Sequence, residues 1–417
     1  MQLKELTNEE FLQFTSKHKY SSIYQTPEYG MAMNKQNMDA FYLGLYDDYG
    51  SMFAATLILV EMLGKFQYAT APRGFLIDYN DEVLVKEFTN MIKKYLRKKN
   101  IIALKISPLI IRNTYNKNEK TTIQTPNYDH IYAYLKKLGY YHLGYNNYFE
   151  ANKPRFEAII PLSPSSPVMF SKISKEFKTK IRSSDKTGVR IYKADERYLE
   201  YFYKLTQNKY PRDLKYFQDL YNLYKNRDAV DLYFALLDTK YFLINTQREF
   251  QKQSVACNKI TDEIFKNQGK ANASLINRKI VEDNKLAALK NQLVDATALL
   301  NKSPDGIIAA CAILIKHQKE VYLLMDGYDV NYKKINAKHL LIWKLMEKYG
   351  SEGFQTFNLG GMTNYLEKES QYKGLNDFKL GFGANSVEYI GDLEIITNYP
   401  LYMLYRNSAP LRNLGKK

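Results

Sequence analysis

The chain has few of the residues that build metal centres, disulfide frameworks and nucleophilic triads. Its 417 residues include 2 cysteines and 5 histidines. Cys257 and Cys311 fit neither a disulfide framework nor a metal-ligand spacing, and the histidines lack the spacing of a helical zinc motif. No convincing Ser-His-Asp or Cys-His arrangement is present either. We therefore expect no metal, no cofactor and no protein nucleophile.

Long apolar stretches are also missing. None reaches the roughly 18 consecutive apolar residues that span a bilayer, and the N-terminal segment MQLKELTNEEFLQF lacks the layout of a secretory signal. The sequence therefore predicts a cytoplasmic protein. Its 45% hydrophobic and 25% charged residues are ordinary for a globular chain, and its length is sufficient for two or three units with cores of their own.

Acidic residues are outnumbered by basic ones. Asp and Glu total 44 against 60 Lys and Arg, which gives a formal net charge of +16. This excess favours a polyanionic partner such as nucleic acid, an anionic membrane surface or a phosphate-rich substrate. A generic lysine-rich surface is the alternative. Tyrosine is abundant, with 37 residues; we expect most of them to pack and some to stack on bases or line a substrate groove.

The order of strand and helix patterns predicts two α/β units. Residues 1–150 form the first, and within it we interpret the segment between Pro108 and Tyr128 as a polar loop followed by a helix. A similar order of elements begins again near residue 151. The sequence therefore predicts a duplicated α/β fold, whose second unit comprises residues 151–243 and 304–417.

Residues 244–303 predict a helical hairpin inserted into the second unit. Apolar residues recur at spacings of three and four in two runs, Phe250–Ile264 and Leu286–Leu300. A polar break at Gln268–Ser274 supplies a helix stop and a new N-cap.

The strand candidates Val230–Leu237 and Ile307–Ile315 flank this hairpin. A helix pair between two adjacent strands would project from a finished sheet, as an arm that contacts something large would do. The alternative is a helical decoration without a partner.

A basic segment follows the first strand of the second unit. We predict one helix from Pro167 through Ile181, continuing in a run that ends at Gly188. Its cations are Lys172, Lys175, Lys178, Lys180, Arg182 and Lys186. Phosphate binding and an ordinary solvated helix face are both consistent with this run.

Two further positions are candidates for substrate chemistry. Arg212 precedes a predicted helix that begins near Leu214, with Tyr216 one turn further on; a guanidinium there can hold a phosphate through two hydrogen bonds, or pair with a neighbouring Asp. Phe378 and Lys379 lie where a helix runs into a strand. The lysine could stabilise an oxyanion or be an ordinary surface residue.

Several segments, taken in order, resemble the Fem family of non-ribosomal peptidyltransferases, which build the interpeptide bridge of peptidoglycan. The segments are Gln25-Thr26, APRGFLIDY around Arg73, the basic helix ending in KTGV, RDLKYF around Arg212, the glycine pair in Leu359–Gly361, FKLGFG around Lys379, and the tail NYPLY. Their order and spacing cover essentially the whole chain.

The resemblance implies tandem GNAT-like acyltransferase domains with an inserted antiparallel coiled-coil arm that meets tRNA. It implies transfer of glycine, alanine or serine from aminoacyl-tRNA to the stem-peptide amine of a peptidoglycan precursor. That precursor is either lipid II or UDP-MurNAc-pentapeptide. Peripheral contact with the cytoplasmic face of the membrane would follow from a lipid-linked substrate.

Site residues also follow from the resemblance. Arg212 matches the arginine that binds the precursor diphosphate, and Tyr216 matches a tyrosine of the same groove. Phe378 and Lys379 match the pair at the ester under attack. We further expect substrate binding by Lys35, Arg73, Lys180 and Arg182.

Three positions depart from the family pattern. Met33 stands where relatives often have a lysine for the diphosphate, with Lys35 two residues later, and Ser107 stands where relatives carry an aspartate that could serve as general base. A tyrosine-rich turn of the relatives is replaced by LLMDGYD. Two other functions therefore stay open: an acyl-CoA-dependent acetyltransferase, although QYKGLN lacks the second glycine of a pyrophosphate loop, and an inactive RNA-binding or scaffold protein.

Overall fold

The computed structural model describes residues 1–117, 119–209, 212–266, 273–367 and 371–407. The strands within these ranges are β1 Gln2–Glu5, β2 Asp39–Tyr46, β3 Met52–Leu63, β4 Phe66–Pro72, β5 Ile101–Ser107, β6 Ile111–Asn116, β7 Thr121–Gln124, β8 Tyr141–His142, β9 Phe156–Pro161, β10 Val189–Ala194, β11 Val230–Leu237, β12 Ile307–His317, β13 Glu320–Tyr328, β14 Thr356–Met362, β15 Asn385–Tyr389 and β16 Leu393–Ile396.

The α-helices of the described ranges lie between and beside these strands. They are α1 Asn8–Thr15, α2 Pro27–Asn34, α3 Glu82–Lys98, α4 Tyr128–Lys137, α5 Ser166–Lys172, α6 Lys175–Lys186, α7 Leu199–Thr206, α8 Leu214–Lys225, α9 Thr239–Lys266, α10 Ala273–Lys302, α11 Ala337–Ser351, α12 Lys373–Gly381 and α13 Tyr399–Asn407. Among the residues described, no helix combines the length and apolar character needed to cross a membrane.

The strands form two sheets built on the same plan. The first has the order β1-β2-β3-β4-β5-β16-β8 and the second β10-β11-β12-β13-β14-β9-β15-β6-β7. In each, an antiparallel run of four strands meets one parallel pair, β4 with β5 or β13 with β14. A helix, α3 or α11, connects the two parallel strands, as such a connection requires. The predicted α/β class with two similar units is confirmed.

The connecting helix α3 shows why these segments fold as they do. Asp81 caps its N-terminus by accepting a hydrogen bond from Leu84 N at 2.9 Å. Phe88, Ile92 and Leu96 recur at spacings of four and are fully buried against the first sheet. Each buried side chain of this size contributes about 1.5–3 kcal/mol relative to an exposed one.

The two sheets exchange strands, which corrects one prediction. The segment interpreted as a polar loop contains the hairpin β6–β7, and β6 pairs with β15 in the second sheet. In return, β16 from the C-terminal part pairs with β5 and β8 in the first sheet. Strands from both sides of residue 150 therefore contribute to both sheets, while the division into domains stays a prediction.

The predicted helical arm is present as α9 and α10, inserted between the adjacent strands β11 and β12. The helices run antiparallel, because Gln253 Nε2 donates to Glu282 Oε2 at 2.6 Å and Arg278 lies 4.0 Å from Glu263 nearer the tip. Ala296 anchors the base of the pair in the core of the second sheet. The predicted polar break at Gln268–Ser274 lies largely outside the described residues, which resume at Ala273.

The single helix predicted from Pro167 through Ile181 is two helices, α5 and α6. Ile173 adopts an extended conformation between them, and Ser174 caps α6 by accepting a hydrogen bond from Phe177 N at 3.3 Å. A serine that can cap a helix competes with the continuing helix for the backbone donors. The break turns α6 and its lysines relative to α5.

Candidate active site

Arg212 and Tyr216 lie together at the start of α8. The carboxylate of Asp213 caps this helix by accepting a hydrogen bond from Tyr216 N at 2.8 Å. The guanidinium carbon of Arg212 lies 4.8 Å from the centroid of the Tyr216 ring, and that ring is buried. Since the Tyr216 ring is fixed in the core, it holds the planar cation at the helix N-terminus, where anions are favoured.

Lys153, which the sequence reasoning missed, lies close to Arg212. Its Nζ is 3.8 Å from the centroid of the Tyr24 ring and donates a hydrogen bond to Tyr29 Oη at 3.1 Å. Burial, and then the positive charges of Arg73 and Arg212, lower the pKa of Lys153 to about 7. The lysine sits just before β9, far in sequence from α8, so no local pattern marks it.

Lys35, the predicted substrate-binding lysine two residues after Met33, forms an ion pair within the protein. It closes α2, and its Nζ lies 2.7 Å from Asp219 Oδ1 on α8. Met33, a residue of α2, is buried in the core that α2 shares with α8. The ion pair ties α2 to α8 one turn beyond Tyr216, and half of the Lys35 side chain remains exposed.

Arg73 is buried, with 2% of its side chain exposed. Its Nη2 donates to Glu157 Oε1 at 2.7 Å and to Pro154 O at 2.8 Å, and its guanidinium carbon lies 4.6 Å from the centroid of the Tyr389 ring. These contacts join the end of β4 to the start of β9. Arg73 also lines a polar cavity of about 240 Å³ together with Tyr24, Glu157, Glu320, Tyr322 and Asn358.

Phe378 and Lys379 are adjacent residues of α12, and Phe378 lines a larger cavity of about 760 Å³. The Phe378 ring packs 5.3 Å from the His339 ring and 5.2 Å from the Phe382 ring. Lys379 Nζ donates a hydrogen bond to Gly361 O. Burial is the main reason that the pKa of Lys379 is lowered to about 8. At pH 7 roughly nine-tenths of this group is therefore still an ammonium ion.

A second cationic cluster, also missed from sequence, lies behind Phe378. Asp326, on β13, accepts from Lys209 Nζ at 2.8 Å and from Lys338 Nζ at 2.6 Å. Lys338 Nζ lies 4.0 Å from the centroid of the Phe378 ring. Burial opposes ionisation of Asp326, but the two ammonium groups outweigh it and hold its pKa well below the usual range. The only signal in sequence was the altered segment LLMDGYD, which carries this aspartate within a strand.

The glycine pair in β14 connects the two cationic regions. Gly360 has φ of 74°, and a Cβ there would lie 3.3 Å from Tyr322 Oη. A Cβ at Gly361 would lie 2.4 Å from Pro154 Cγ, so close packing requires glycine at Gly361, whereas the positive φ favours glycine at Gly360.

Tyr322 continues this connection towards Lys153. Its hydroxyl lies 3.0 Å from Tyr24 Oη, and the Tyr24 ring carries the Lys153 ammonium. A series of contacts therefore runs from Lys153, whose charge interacts with that of Arg212, through the two tyrosines and the glycine pair to Lys379. We call these residues, with Arg212, the cationic strip.

Lys180 and Arg182 lie on different sides of α6. Lys180 lines the 760 Å³ cavity and pairs with Glu176 at 2.6 Å. Arg182 is exposed, and its guanidinium carbon lies 5.2 Å from the centroid of the Phe170 ring on α5. Of these two predicted substrate contacts, the structure brings only Lys180 to the cavity beside Phe378.

The family of the chain follows from a match over nearly its full length. A model of the FemAB family matches residues 6–408. The chain belongs to the FemAB family, and the predicted enzyme class, an aminoacyltransferase, is confirmed.

Individual relatives agree with this assignment. The chain is 24% identical to a protein named aminoacyltransferase FemA from Staphylococcus epidermidis, covering 99% of this chain and 100% of that one. It is 24% identical to a lipid II:glycine glycyltransferase of Staphylococcus haemolyticus, covering 98% and 96%. The crystal structure of FemX has a TM-score of 0.76 at 22% identity and covers 97% of this chain, which establishes the shared fold.

Proposed function

We propose that the protein transfers glycine from glycyl-tRNA to the stem-peptide amine of lipid II. The support is threefold: membership of the FemAB family, relatives named for glycine transfer to lipid II, and the cationic strip. The strip carries the proposal because it offers separate cations at its two ends. The acceptor is long: its doubly charged diphosphate needs cations at one end, and its amine must reach a reaction centre at the other.

The chemistry requires little from the protein. An aminoacyl ester is already activated, so the unprotonated amine of the acceptor attacks its carbonyl carbon. A C–N bond forms, the C–O bond to the tRNA ribose breaks, and the proton of the amine ends on the departing ribose hydroxyl. The barrier is lowered by placing the reactants and by stabilising the oxyanion of the tetrahedral intermediate.

Lys379 is the group that we assign to the oxyanion. Its ammonium has three donors, and one of them is used by Gly361 O. We assign the remaining donors to an anion bound next to Phe378, the neighbouring residue, which lines the 760 Å³ cavity. A charged donor held in a partly buried position stabilises an anion more strongly than one in water.

The same cavity suits the 3′ end of the donor. Aromatic rings of Phe177, Phe378 and Tyr328 line it together with Lys180 and Lys338. Bases stack on aromatic side chains and phosphates pair with lysines, which is how single-stranded RNA is bound without groove readout. The exposed surface of the arm is the place where we expect the body of the tRNA.

The acceptor end lies at Arg212. Its guanidinium, on the N-terminus of α8, is assigned to the diphosphate, with Tyr216 as its support. A lipid-linked acceptor also brings the enzyme to the cytoplasmic face of the membrane, which a net charge of +16 favours where that face is anionic.

The test is a transfer assay with purified protein, lipid II and tRNA charged with labelled glycine, alanine or serine. Glycine should appear on the stem peptide, and UDP-MurNAc-pentapeptide in place of lipid II should be the poorer acceptor. Arg212→Ala should lower the use of acceptor. Absence of transfer from all three charged tRNAs would refute the proposal, and turnover of acyl-CoA would show an acetyltransferase instead.

A further inference from the structure

We propose that Lys153 is the second cation of the diphosphate site, in the place that relatives give to a lysine at the position of Met33. The inference rests on the proposed function for its ligand, a diphosphate diester that joins the muramyl sugar to a lipid or a nucleoside. Lys153 comes from the segment before β9, whereas Arg212 comes from α8. Two cations from different elements would thus hold one dianion.

The first argument is that the expected cation is engaged elsewhere. Met33 packs in the core, and Lys35 is 2.7 Å from Asp219, which fixes it to α8. Releasing Lys35 would leave Asp219 without the partner that balances its charge. A site with Arg212 alone would carry one positive charge for a ligand with two negative charges.

The second argument is the charge balance around Lys153. The charged groups that act on it are Arg73, Arg212, Glu157 and Asp392. Glu157 is already bound by Arg73 at 2.7 Å and by Asn358 at 3.0 Å. Asp392 Oδ2 accepts from the backbone of Asn152 at 2.7 Å, whereas its Oδ1 is buried without a hydrogen-bond partner among the described residues. The three cations Lys153, Arg73 and Arg212 outnumber these two carboxylates, so the net charge of the group is positive.

The third argument is geometric. Two aromatic residues position the Lys153 ammonium. Its nitrogen lies 3.8 Å from the centroid of the Tyr24 ring and 3.1 Å from the hydroxyl oxygen of Tyr29. Tyr29 belongs to α2 and is buried. The lysine is thus oriented before any ligand arrives, and an ordered cation loses less conformational entropy on binding.

A proton balance follows from these surroundings. Burial and the neighbouring guanidinium groups lower the pKa of free Lys153 to about 7, while a bound dianion would raise it. The complex therefore binds a proton that the free enzyme lacks above pH 7. Affinity should be highest below pH 7 and should fall up to about tenfold per pH unit above it.

The experiment measures binding of two soluble probes by calorimetry between pH 6 and pH 8.5. One is a lipid II analogue with a short prenyl chain and the other is UDP-MurNAc-pentapeptide, so that lipid-linked and nucleotide-linked ligands are compared. The proteins are the wild type, Lys153→Gln, Lys153→Arg, Lys35→Gln, and the surface control Lys65→Gln. Buffers of different ionisation enthalpy give the number of protons taken up.

At pH 6 we expect Lys153→Gln to weaken probe binding by about tenfold to a hundredfold, the usual value of a charged hydrogen bond. Lys153→Arg should keep the affinity and lose the extra pH dependence and the proton uptake. Lys379, with its pKa of about 8, titrates in both proteins, so their difference isolates Lys153. Lys153→Gln should still fold, because it removes a buried cation whose desolvation disfavours the folded state.

Two results would overturn the inference. In one, Lys153→Gln binds like the wild type while Lys35→Gln is weakened, which would return the role to Lys35. In the other, wild type and Lys153→Arg show the same proton uptake. Failure of the proposed function would look different: the wild type would bind neither probe, or would bind them without any transfer from charged tRNA.

Discussion

At the scale of single residues, burial decides what the lysines of the cationic strip can do. Lys153 and Lys379 lose part of their preference for the charged state on entering the protein, and neither forms an ion pair with a carboxylate of the residues that the structure describes. Lys35 and Lys338 are instead paired with Asp219 and Asp326. A cation without its own carboxylate is the kind that an anionic ligand can use.

Lys379→Ala removes the cation that we assign to the oxyanion. We expect kcat for transfer to fall about 100- to 1000-fold, the usual loss for one oxyanion donor, with little change in KM for the acceptor. Rapid-quench measurement of transfer from glycyl-tRNA checks this. Lys373→Ala is the matched control, since Lys373 is an exposed lysine of the same helix. Equal kcat values for the two variants would contradict the assignment.

Asp326→Asn leaves Lys209 and Lys338 close together without their carboxylate. We expect a loss of about 2 kcal/mol of unfolding free energy at pH 7, less than for a fully buried pair because the Lys209 side chain is 36% exposed. The folded pKa of Asp326 is depressed, so its contribution is present above the unfolded value of about 3.9 and is lost below it.

Urea denaturation at pH 7 and at pH 3.5 checks this prediction. The difference between wild type and Asp326→Asn should shrink at the lower pH. A difference that is constant with pH would mean that the charge of Asp326 has no role in stability.

Local sequence marked Arg212, Tyr216, Phe378 and Lys379 as candidates, because each pair is contiguous or lies one helical turn apart, and the resemblance to the Fem family supplied their expected roles. It did not identify Lys153, which is brought to Arg212 across 59 residues of chain by the pairing of distant strands. The same holds for Asp326, whose partners are Lys209, just after α7, and Lys338, in the first turn of α11. The topology of the sheets brings residues from separate elements together, and no periodicity of the sequence predicts this.

At the scale of elements, the long helices of the arm were predictable, whereas the hairpin β6–β7 and the short helix α2 were not. The two arm helices have an internal 3.6-residue pattern and so appear in sequence. The hairpin β6–β7 has a polar composition, and every residue of β6 is only partly buried, so it lacks a two-residue alternation. The helix α2 was not predicted, because its apolar face is short, although Thr26 as N-cap and Pro27 at the first helical position favour a helix start.

The arm offers a prediction at this scale. Residues 252–289 can be replaced by a short glycine-serine linker while Phe242 and Ala296 keep their places in the core. We expect KM for glycyl-tRNA to rise about tenfold or more through lost phosphate contacts, with unchanged binding of the acceptor. Steady-state kinetics with each substrate varied in turn check this. Unchanged kinetics for the charged tRNA would show that the arm is not a tRNA contact.

At the scale of the whole molecule, the exchange of strands ties the two sheets into one structure. The second sheet contains β6 and β7, and the first contains β16, so neither sheet can open without breaking pairs with a strand from the other part of the chain. A buried Arg73–Glu157 pair adds a further connection. We therefore expect the two sheets to unfold in one cooperative transition.

Two site-specific probes check this in urea. Fluorescence of Trp343, which packs in the core of the second sheet, follows one sheet, and pulsed hydrogen exchange of the β3 and β5 amides follows the other. The two midpoints should coincide. Separate midpoints would show that the sheets are independent despite the shared strands.

The position of β16 has a consequence for the order in which the protein is made. This strand lies between β5 and β8, so it fills an interior place in the first sheet although it begins at Leu393. A growing polypeptide emerges from the ribosome N-terminus first, so the first sheet lacks the strand between β5 and β8 until residues 393–396 have been made. The sheet built mainly from N-terminal residues therefore reaches its final form only after this late segment has been translated.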